Sequence, residues 1–394
     1  MKKTLIALAA LGAMAGVAHA QSSVTLYGLV DVWAGQIKTN TATPGIAAVA
    51  GPPAVAATFG QVTSTKQTKI DPAGFNGSRW GMRIREDLGG GTAAIANLES
   101  GFNADTGASG QGGLLFGRRA NVGLTGGFGT VTLGRNSSSY DDVSIDNAMM
   151  LQSIFDPSQT NNGPTSAQAG GVLASAQNAA VFLGRNTSWV GFGTRFNNSI
   201  KYISPDFSGF TGSFMYALGE DKTATVGQSS SVSANLKYSN GPLLVSGGYQ
   251  SEAASRTATL KPALENALLS VAYDFGVVKL GAGFNRAKFK DVAAPAILGG
   301  GNYKPQDEVN LSVSVPVGAA VISAGYAQSK GDTLGKSSGV GIQATYALSK
   351  RTFLYTGFQS TKAYDRLAAA VTANGSGSVI GKTQTAAVGV QHRF

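Results

Sequence analysis

Six stretches of this chain alternate large apolar residues with small or polar ones over at least seven positions, a period of two that suits a strand with unlike faces and no helix. In Val24 to Trp33 the even positions are Val24, Leu26, Gly28, Val30 and Val32, and Thr25, Tyr27 and Asp31 lie opposite. Trp80, Met82 and Ile84 alternate with Arg79, Gly81, Arg83 and Arg85. The pattern returns in Phe210 to Leu218, Val232 to Tyr238, Val309 to Val315 and Val340 to Leu348. A soluble sandwich also alternates, so three further features decide between a sandwich and a barrel. The strands run longer than the ~5–6 residues common in soluble sheets and match the ~9–11 of tilted membrane strands. Their polar face is Ser, Thr, Asn, Gly and Lys, which suits a wet lumen. Tight turns such as Asn240-Gly241-Pro242, Phe275-Gly276 and Ser349-Lys350 alternate with long connections, among them Gln36 to Phe75, Ser137 to Thr194, Asp291 to Gln306 and Ala363 to Lys382. That asymmetry is the one between the two rims of an outer-membrane barrel.

Strand starts near residues 24, 77, 92, 115, 130, 195, 209, 230, 242, 265, 277, 307, 318, 337, 351 and 383 predict an all-β fold, a 16-stranded antiparallel transmembrane β-barrel. An even number brings both termini to one side, and sixteen strands leave an aqueous channel that side chains do not fill. Ahead of the barrel, Lys2-Lys3, the apolar Leu5 to Val17 and Ala18-His19-Ala20 read as a secretory signal, residues 1–20, cleaved before Gln21. Its apolar stretch is shorter than the ~20 residues of a membrane helix, and no later stretch approaches that length. The expected mature chain is one domain, residues 21–394, exported to the outer membrane. Its basic count falls from 31 to 29 against 21 acids, a net charge of +8.

Composition removes most chemistry. With no Cys there is neither a disulfide framework nor a thiolate site for catalysis, zinc or iron–sulfur. A Ser-His-acid hydrolase needs a histidine, and past residue 20 only His392 remains, beside the chain end. Glycines before Gly335-Lys336-Ser337 and Gly381-Lys382-Thr383 miss the spacing of a phosphate loop. Basic residues are dispersed along strands without an aromatic-basic cluster, so nucleic acid is not an expected partner. Closely spaced calcium-loop acids are missing. No enzyme activity and no cofactor or metal are expected.

Several short stretches, in order, resemble the trimeric general-diffusion porins of Gram-negative bacteria over essentially the whole mature length. They are Ser23-Val24-Thr25-Leu26-Tyr27-Gly28, Ser78-Arg79-Trp80-Gly81, Glu86-Asp87-Leu88-Gly89-Gly90-Gly91, Gly134-Arg135-Asn136 with Tyr140-Asp141, Asn197-Asn198-Ser199-Ile200-Lys201-Tyr202 and Phe207-Ser208-Gly209-Phe210. The chain ends on an aromatic, Phe394, which looks like the signal read by the β-barrel assembly machinery and also suits the interfacial aromatic girdle. The resemblance implies a homotrimer in outer-membrane lipids, each barrel with its third external loop folded inward. Many members carry Pro-Glu-Phe-Gly-Gly at the tip of that loop, where this chain has Asn147 to Pro157.

Ser137 to Thr194 lacks a strong strand pattern, and a connection of that length implies function. Asp141, Asp142 and Asp146 stand either as the negative side of an eyelet or as solvated caps. On the wall, period two puts Arg79, Arg83 and Arg85 on one face as a positive stripe. Arg195 and Lys201 share the polar parity of their strand, as do Lys237 and Lys279 on later strands. At Arg118-Arg119 the parity of Ala120, Val122 and Leu124 turns Arg119 inward, whereas matching to the family favours Arg118, the residue chosen here. Arg135 is set aside as a brace at a subunit contact. Such a ring attracts anions and predicts an anion-preferring channel for small hydrophilic solutes and ions. The opposing reading pairs these arginines with Asp31, Glu99 and Asp105 and leaves little net field. A porin specific for small organic anions, or a surface-acting barrel with a plugged lumen, are the alternatives.

Overall fold

A computed structural model describes residues 22–42, 62–151, 153–158, 189–254, 256–257, 259, 261–294, 300–362, 364–366 and 379–394. The expected signal segment and the middle of the long loop, 159–188, lie outside the described residues. The strands are β1 (Ser23–Ala42), β2 (Val62–Pro72), β3 (Arg79–Gly89), β4 (Thr92–Gly101), β5 (Arg119–Gly126), β6 (Gly129–Ser137), β7 (Arg195–Ile203), β8 (Phe210–Leu218) and β9 (Ser230–Asn240). They continue as β10 (Leu243–Ala253), β11 (Ala263–Asp274), β12 (Lys279–Lys290), β13 (Gln306–Val317), β14 (Ala320–Gly331), β15 (Gly335–Ala347), β16 (Thr352–Lys362) and β17 (Val379–Arg393).

From β3 onward each strand pairs antiparallel with the next, and β17 returns to β1 with Leu29 opposite Arg393 and Ala34 opposite Val388. On its other edge β1 meets two partners in turn. Ser23 to Leu29 pair with β3, and Val32 to Ala42 pair with β2. β2 and β3 therefore stand end to end in one place, and the circumference holds sixteen positions. Closure gives the strands of the ring a partner on each side, the condition for a sheet in lipid, while among the described residues β2 pairs along one edge only, with β1.

β2 overturns part of the sequence reading, which assigned Gln36 to Phe75 to a loop. Its sequence, Val-Thr-Ser-Thr-Lys-Gln-Thr-Lys-Ile-Asp-Pro, is polar on both faces and exposed over most of its length. It rises beyond the apolar band, where neither face selects large apolar residues and the alternation signal disappears.

Burial runs opposite to that of a water-soluble protein. On β1 the outward Val24 and Leu26 are 64% and 63% exposed, whereas the inward Asp31 is fully buried. Leu269, Leu311, Val340 and Phe358 project outward, while Ser246, Asn266, Gln343 and Gln391 are buried inside. An apolar outer band around a polar interior is the arrangement for a lipid-embedded barrel. The tight turns fall where the sequence places them, with Gly241 (φ +54°) and Gly276 (φ +82°) in the left-handed region that a side chain resists. At the seam, the Gly28 and Phe394 backbones exchange hydrogen bonds of 3.1 and 3.0 Å. The Phe394 ring lies where a Cβ on Gly28 would stand, so the terminal aromatic is fitted to the first strand.

Candidate functional site

The described parts of the long connection between β6 and β7, 138–151, 153–158 and 189–194, lie inside the barrel. Its first part, 138–158, crosses from β9 to β16 along the inner wall. The Ser139 amide donates to Ser233 Oγ (2.9 Å), and Tyr140 Oη donates to Asn285 Oδ1 (2.9 Å). The Met149 amide donates to Ser312 Oγ (3.0 Å), and Gln359 Nε2 donates to the Asp156 carbonyl (3.0 Å). At the far side the Ile154 amide reaches the Gly74 carbonyl at 2.8 Å. Inward positions of β12, β14, β15 and β16 carry Gly281, Gly283, Gly325, Gly341 and Gly357 beneath this path. A Cβ at Gly281 or Gly341 would run into the Asn147 or Phe155 carbonyl. The glycines make a shelf, and Met150 and Phe155 pack there against Trp33, Phe75 and Tyr355. Two buried wall carboxylates hold the returning segment. Glu308 accepts the Val190 amide (2.5 Å) and Asn285 Nδ2 (2.7 Å), and Glu252 accepts the Gly193 amide (2.6 Å).

Opposite the shelf the wall is basic. Arg79, Arg83 and Arg85 share the inward face of β3, in register with Leu29, Thr25 and Ser23. Arg79 is half-buried and donates from Nε to the Gly77 carbonyl (2.9 Å), while the Arg83 guanidinium lies 4.3 Å from the centre of the Tyr27 ring. Such a cation–π contact holds the guanidinium without neutralising it. Arg118 is buried and ion-paired from Nε to Glu99 Oε1 at 2.6 Å, and Tyr27 Oη donates to the other oxygen of Glu99 (2.8 Å). Arg195, which opens β7, donates to Thr194 Oγ1 (3.1 Å). Arg79, Arg118 and Arg195 lie within electrostatic reach of one another. Lys201 Nζ meets Asp142 Oδ2 at 2.5 Å, and Lys237 Nζ meets Asp146 Oδ1 at 2.9 Å. Burial pushes the Asp141 carboxyl up to about 6; Arg195 opposes that shift and the neighbouring Asp142 adds to it.

Each residue singled out in the sequence is thereby located. Arg79, Arg83, Arg85, Arg118, Arg195 and Lys201 all face the lumen, and Asp141, Asp142 and Asp146 stand on the inward loop. At Arg118-Arg119 both arguments hold: Arg118 precedes the strand and turns in to Glu99, and Arg119 pairs in register with that same inward Glu99. Of the acids weighed as arginine partners, Glu99 alone takes that role among the described residues. Asp31 instead accepts the amides of Gly74, Phe75 and Asn76, the Tyr355 hydroxyl and Gln391 Nε2. Asp105 is exposed in the loop after β4. Arg135 is outward by register with Ala120 and is tied to the Gly117 carbonyl and Asn197 Oδ1. The sequence reading missed the glycine shelf and the pinning glutamates, although glycine at inward positions of neighbouring strands was a visible signal.

The sequence profile of the Gram-negative porin family matches residues 7–366. The chain is 34% identical to outer membrane porin protein 32 of Delftia acidovorans over 409 aligned residues, covering all of both chains. It is 29% identical to an outer membrane porin protein of Bordetella pertussis, again over the full length of each. Among solved structures, an anion-selective porin from Comamonas acidovorans superposes with a TM-score of 0.69 at 25% identity, over 95% of this chain and 100% of that one. OmpT of Vibrio cholerae, at 13% identity and a TM-score of 0.59, shares the fold. A closed sixteen-position barrel, an inward loop and matches along the full length agree: the chain belongs to the Gram-negative porin family and is a protein of the outer membrane.

Proposed function

We propose that this porin passes small hydrophilic solutes and ions by passive diffusion through a water-filled lumen, that it prefers anions, and that three copies assemble as a homotrimer. The observation that carries the preference is the arginine cluster on the bare wall. Arg79, Arg118 and Arg195 stand close together, and Glu99 is ion-paired to Arg118 alone. Asp142 and Asp146 are engaged by Lys201 and Lys237, so these acids leave the arginines' field largely in place. In a narrow throat with low-dielectric walls, that excess lowers the barrier for anions and raises it for cations. In this reading Arg79, Arg83, Arg85, Arg118, Arg195 and Lys201 line the path, and the three loop aspartates set its opposite edge. Similarity to a porin described as anion-selective supports the same preference.

Proteoliposome swelling tests the proposal. Vesicles holding the folded protein are exposed to neutral, anionic and cationic solutes of equal size, and the anionic one should enter fastest. Equal rates for all three would keep the channel and remove the preference. Closure of bilayer current in three equal steps would support the trimer, and single-step closure would argue for independent barrels.

A further inference from the structure

Between the end of β2 and the start of β3 the chain runs through a short connector, 73–78, and one carboxylate on the neighbouring strand holds it. Asp31 of β1 is inward and fully buried. Its Oδ1 accepts the Gly74 amide (2.8 Å) and the Tyr355 hydroxyl (2.6 Å). Its Oδ2 accepts the amides of Phe75 (3.2 Å) and Asn76 (3.0 Å) and Gln391 Nε2 (2.9 Å). The Asp31 backbone clasps both ends of the connector: its carbonyl accepts the Ala73 amide (3.2 Å), and its amide donates to Ser78 Oγ (2.9 Å). All five donors to the carboxylate are uncharged, and burying a carboxylate among uncharged groups is costly unless donors fill its lone pairs.

The connector does not take this shape by local preference. Ala73 sits at φ +61°, in the left-handed region that a side chain resists, and a Cβ on Gly74 would strike the Tyr355 hydroxyl. Three successive amides turned toward one point make a nest for an anion, and without the anion they would be left short of acceptors. What the connector carries belongs to the channel. Its Gly74 carbonyl accepts the Ile154 amide (2.8 Å) at the end of the inward loop, and Phe75 packs with Met150 and Phe155. Its Gly77 carbonyl and Asn76 Oδ1 accept Arg79, from Nε at 2.9 Å and from Nη2 at 3.5 Å. One buried carboxylate therefore stands behind both an arginine of the basic wall and the landing point of the loop.

We propose that Asp31 is a positioning residue for ion selection, fixing through the 73–78 connector where Arg79 and the end of the inward loop stand. The part that concerns Arg79 rests on the proposed anion preference, and the part that concerns the loop does not. Two roles for this carboxylate differ in sign. Acting through its own charge, Asp31 would oppose anions, and removing it would raise anion preference, as removing the Glu99 charge should. Acting by position, its removal frees Arg79 and the loop end, the eyelet widens and anion preference falls.

The test compares the native chain with Asp31→Asn, which keeps the size but turns a donor toward the amides. Zero-current potentials give the permeability ratio, and proteoliposome swelling with neutral sugars of increasing size gives the size limit. In Asp31→Asn the anion-to-cation ratio should fall by about twofold, the change expected when a charge moves from about 7 to about 10 Å from the passing ion, and the size limit should rise. The fall should be smaller in an R79Q background, because part of it runs through Arg79. Tyr355→Phe removes one donor and keeps the ring, so it should move both readouts the same way by less, and it carries the test if Asp31→Asn does not fold. Heat-modifiable migration on gels checks folding. A raised anion preference with the size limit unchanged would overturn the proposal and leave Asp31 acting by charge. An equal fall with and without Arg79, or no change in either readout, would overturn it as well. A native channel with no anion preference would defeat the selectivity reading instead, and the size limit alone would then decide whether Asp31 holds the loop.

Discussion

Two stretches of the inner wall obey the same period-two rule and do opposite things. On β3 and at the starts of β5 and β7 the inward side chains are long and cationic, no described loop segment is laid over the β3 stripe, and charge faces water. On β12 to β16 the inward positions beneath the loop include Gly281, Gly283, Gly325, Gly341 and Gly357 together with Ser312 and Gln359, and the described part of the long loop lies on them through backbone hydrogen bonds. Geometry is common to both. What separates a solvated basic wall from a dry shelf is the size and charge of the inward residue. A guanidinium costs too much to bury without a partner, so a strand of arginines keeps its water, whereas glycine admits a second backbone at contact distance.

The strongest way to break this contrast is to give the shelf a side chain. Gly341→Leu has no room under the Phe155 carbonyl, so the loop must lift or the barrel distort. Overpacking of this kind costs on the order of 1–3 kcal/mol. Thermal unfolding should shift downward, and single-channel conductance should change with it as the loop leaves the wall. Unchanged conductance and stability would mean the loop does not rest there.

A smaller effect sharpens the basic side. Glu99→Gln keeps an oxygen for Arg118 and Tyr27 but removes the charge that offsets one arginine. One unit charge about 7 Å from a passing ion in water-like dielectric is worth roughly 0.6 kcal/mol with opposite sign for anion and cation, so the anion-to-cation permeability ratio should rise by up to about eightfold. Reversal potentials in a salt gradient measure it.

The smallest effect comes from pH. With its carboxyl pushed up to about 6, Asp141 is charged at pH 7.5 and neutral at pH 5, so acidification should raise anion preference, by less than the Glu99 change because Arg195 is nearby. The sign for stability follows from the same shift. A carboxyl that holds its proton more tightly when folded contributes stability present below its unfolded value and lost as pH rises through about 6. Asp141→Asn should abolish the pH dependence of the reversal potential in that range, and persistence would assign the titration elsewhere.

How much of this could be read beforehand depends on whether a feature lives on one strand or between distant ones. Strand positions and the inward stripe of Arg79, Arg83 and Arg85 are local, and lipid on one side and water on the other write them into alternation. β2 escaped because it stands in water on both faces. The Asp31 site escaped for another reason, since its partners Tyr355 and Gln391 are 324 and 360 residues away and become neighbours only when the barrel closes. The shelf lies between these cases: its glycines alternate legibly, but the residues that rest on them come from a loop without periodicity.

The central claim is that the net positive charge of the arginine cluster on the bare wall, only partly offset by Glu99, selects the ion. The measurement that tests it most directly is the zero-current potential across a planar bilayer under a low-salt gradient, for the native chain and for R79Q/R118Q/R195Q. The native potential should carry the sign of anion flow. Losing three charges near the path, at roughly 0.6 kcal/mol each before salt screening and with opposite sign for anion and cation, should reduce the permeability ratio by at least about tenfold and bring the potential close to zero. A folded triple variant with conductance intact and an unchanged potential would contradict the account and move selection away from these arginines.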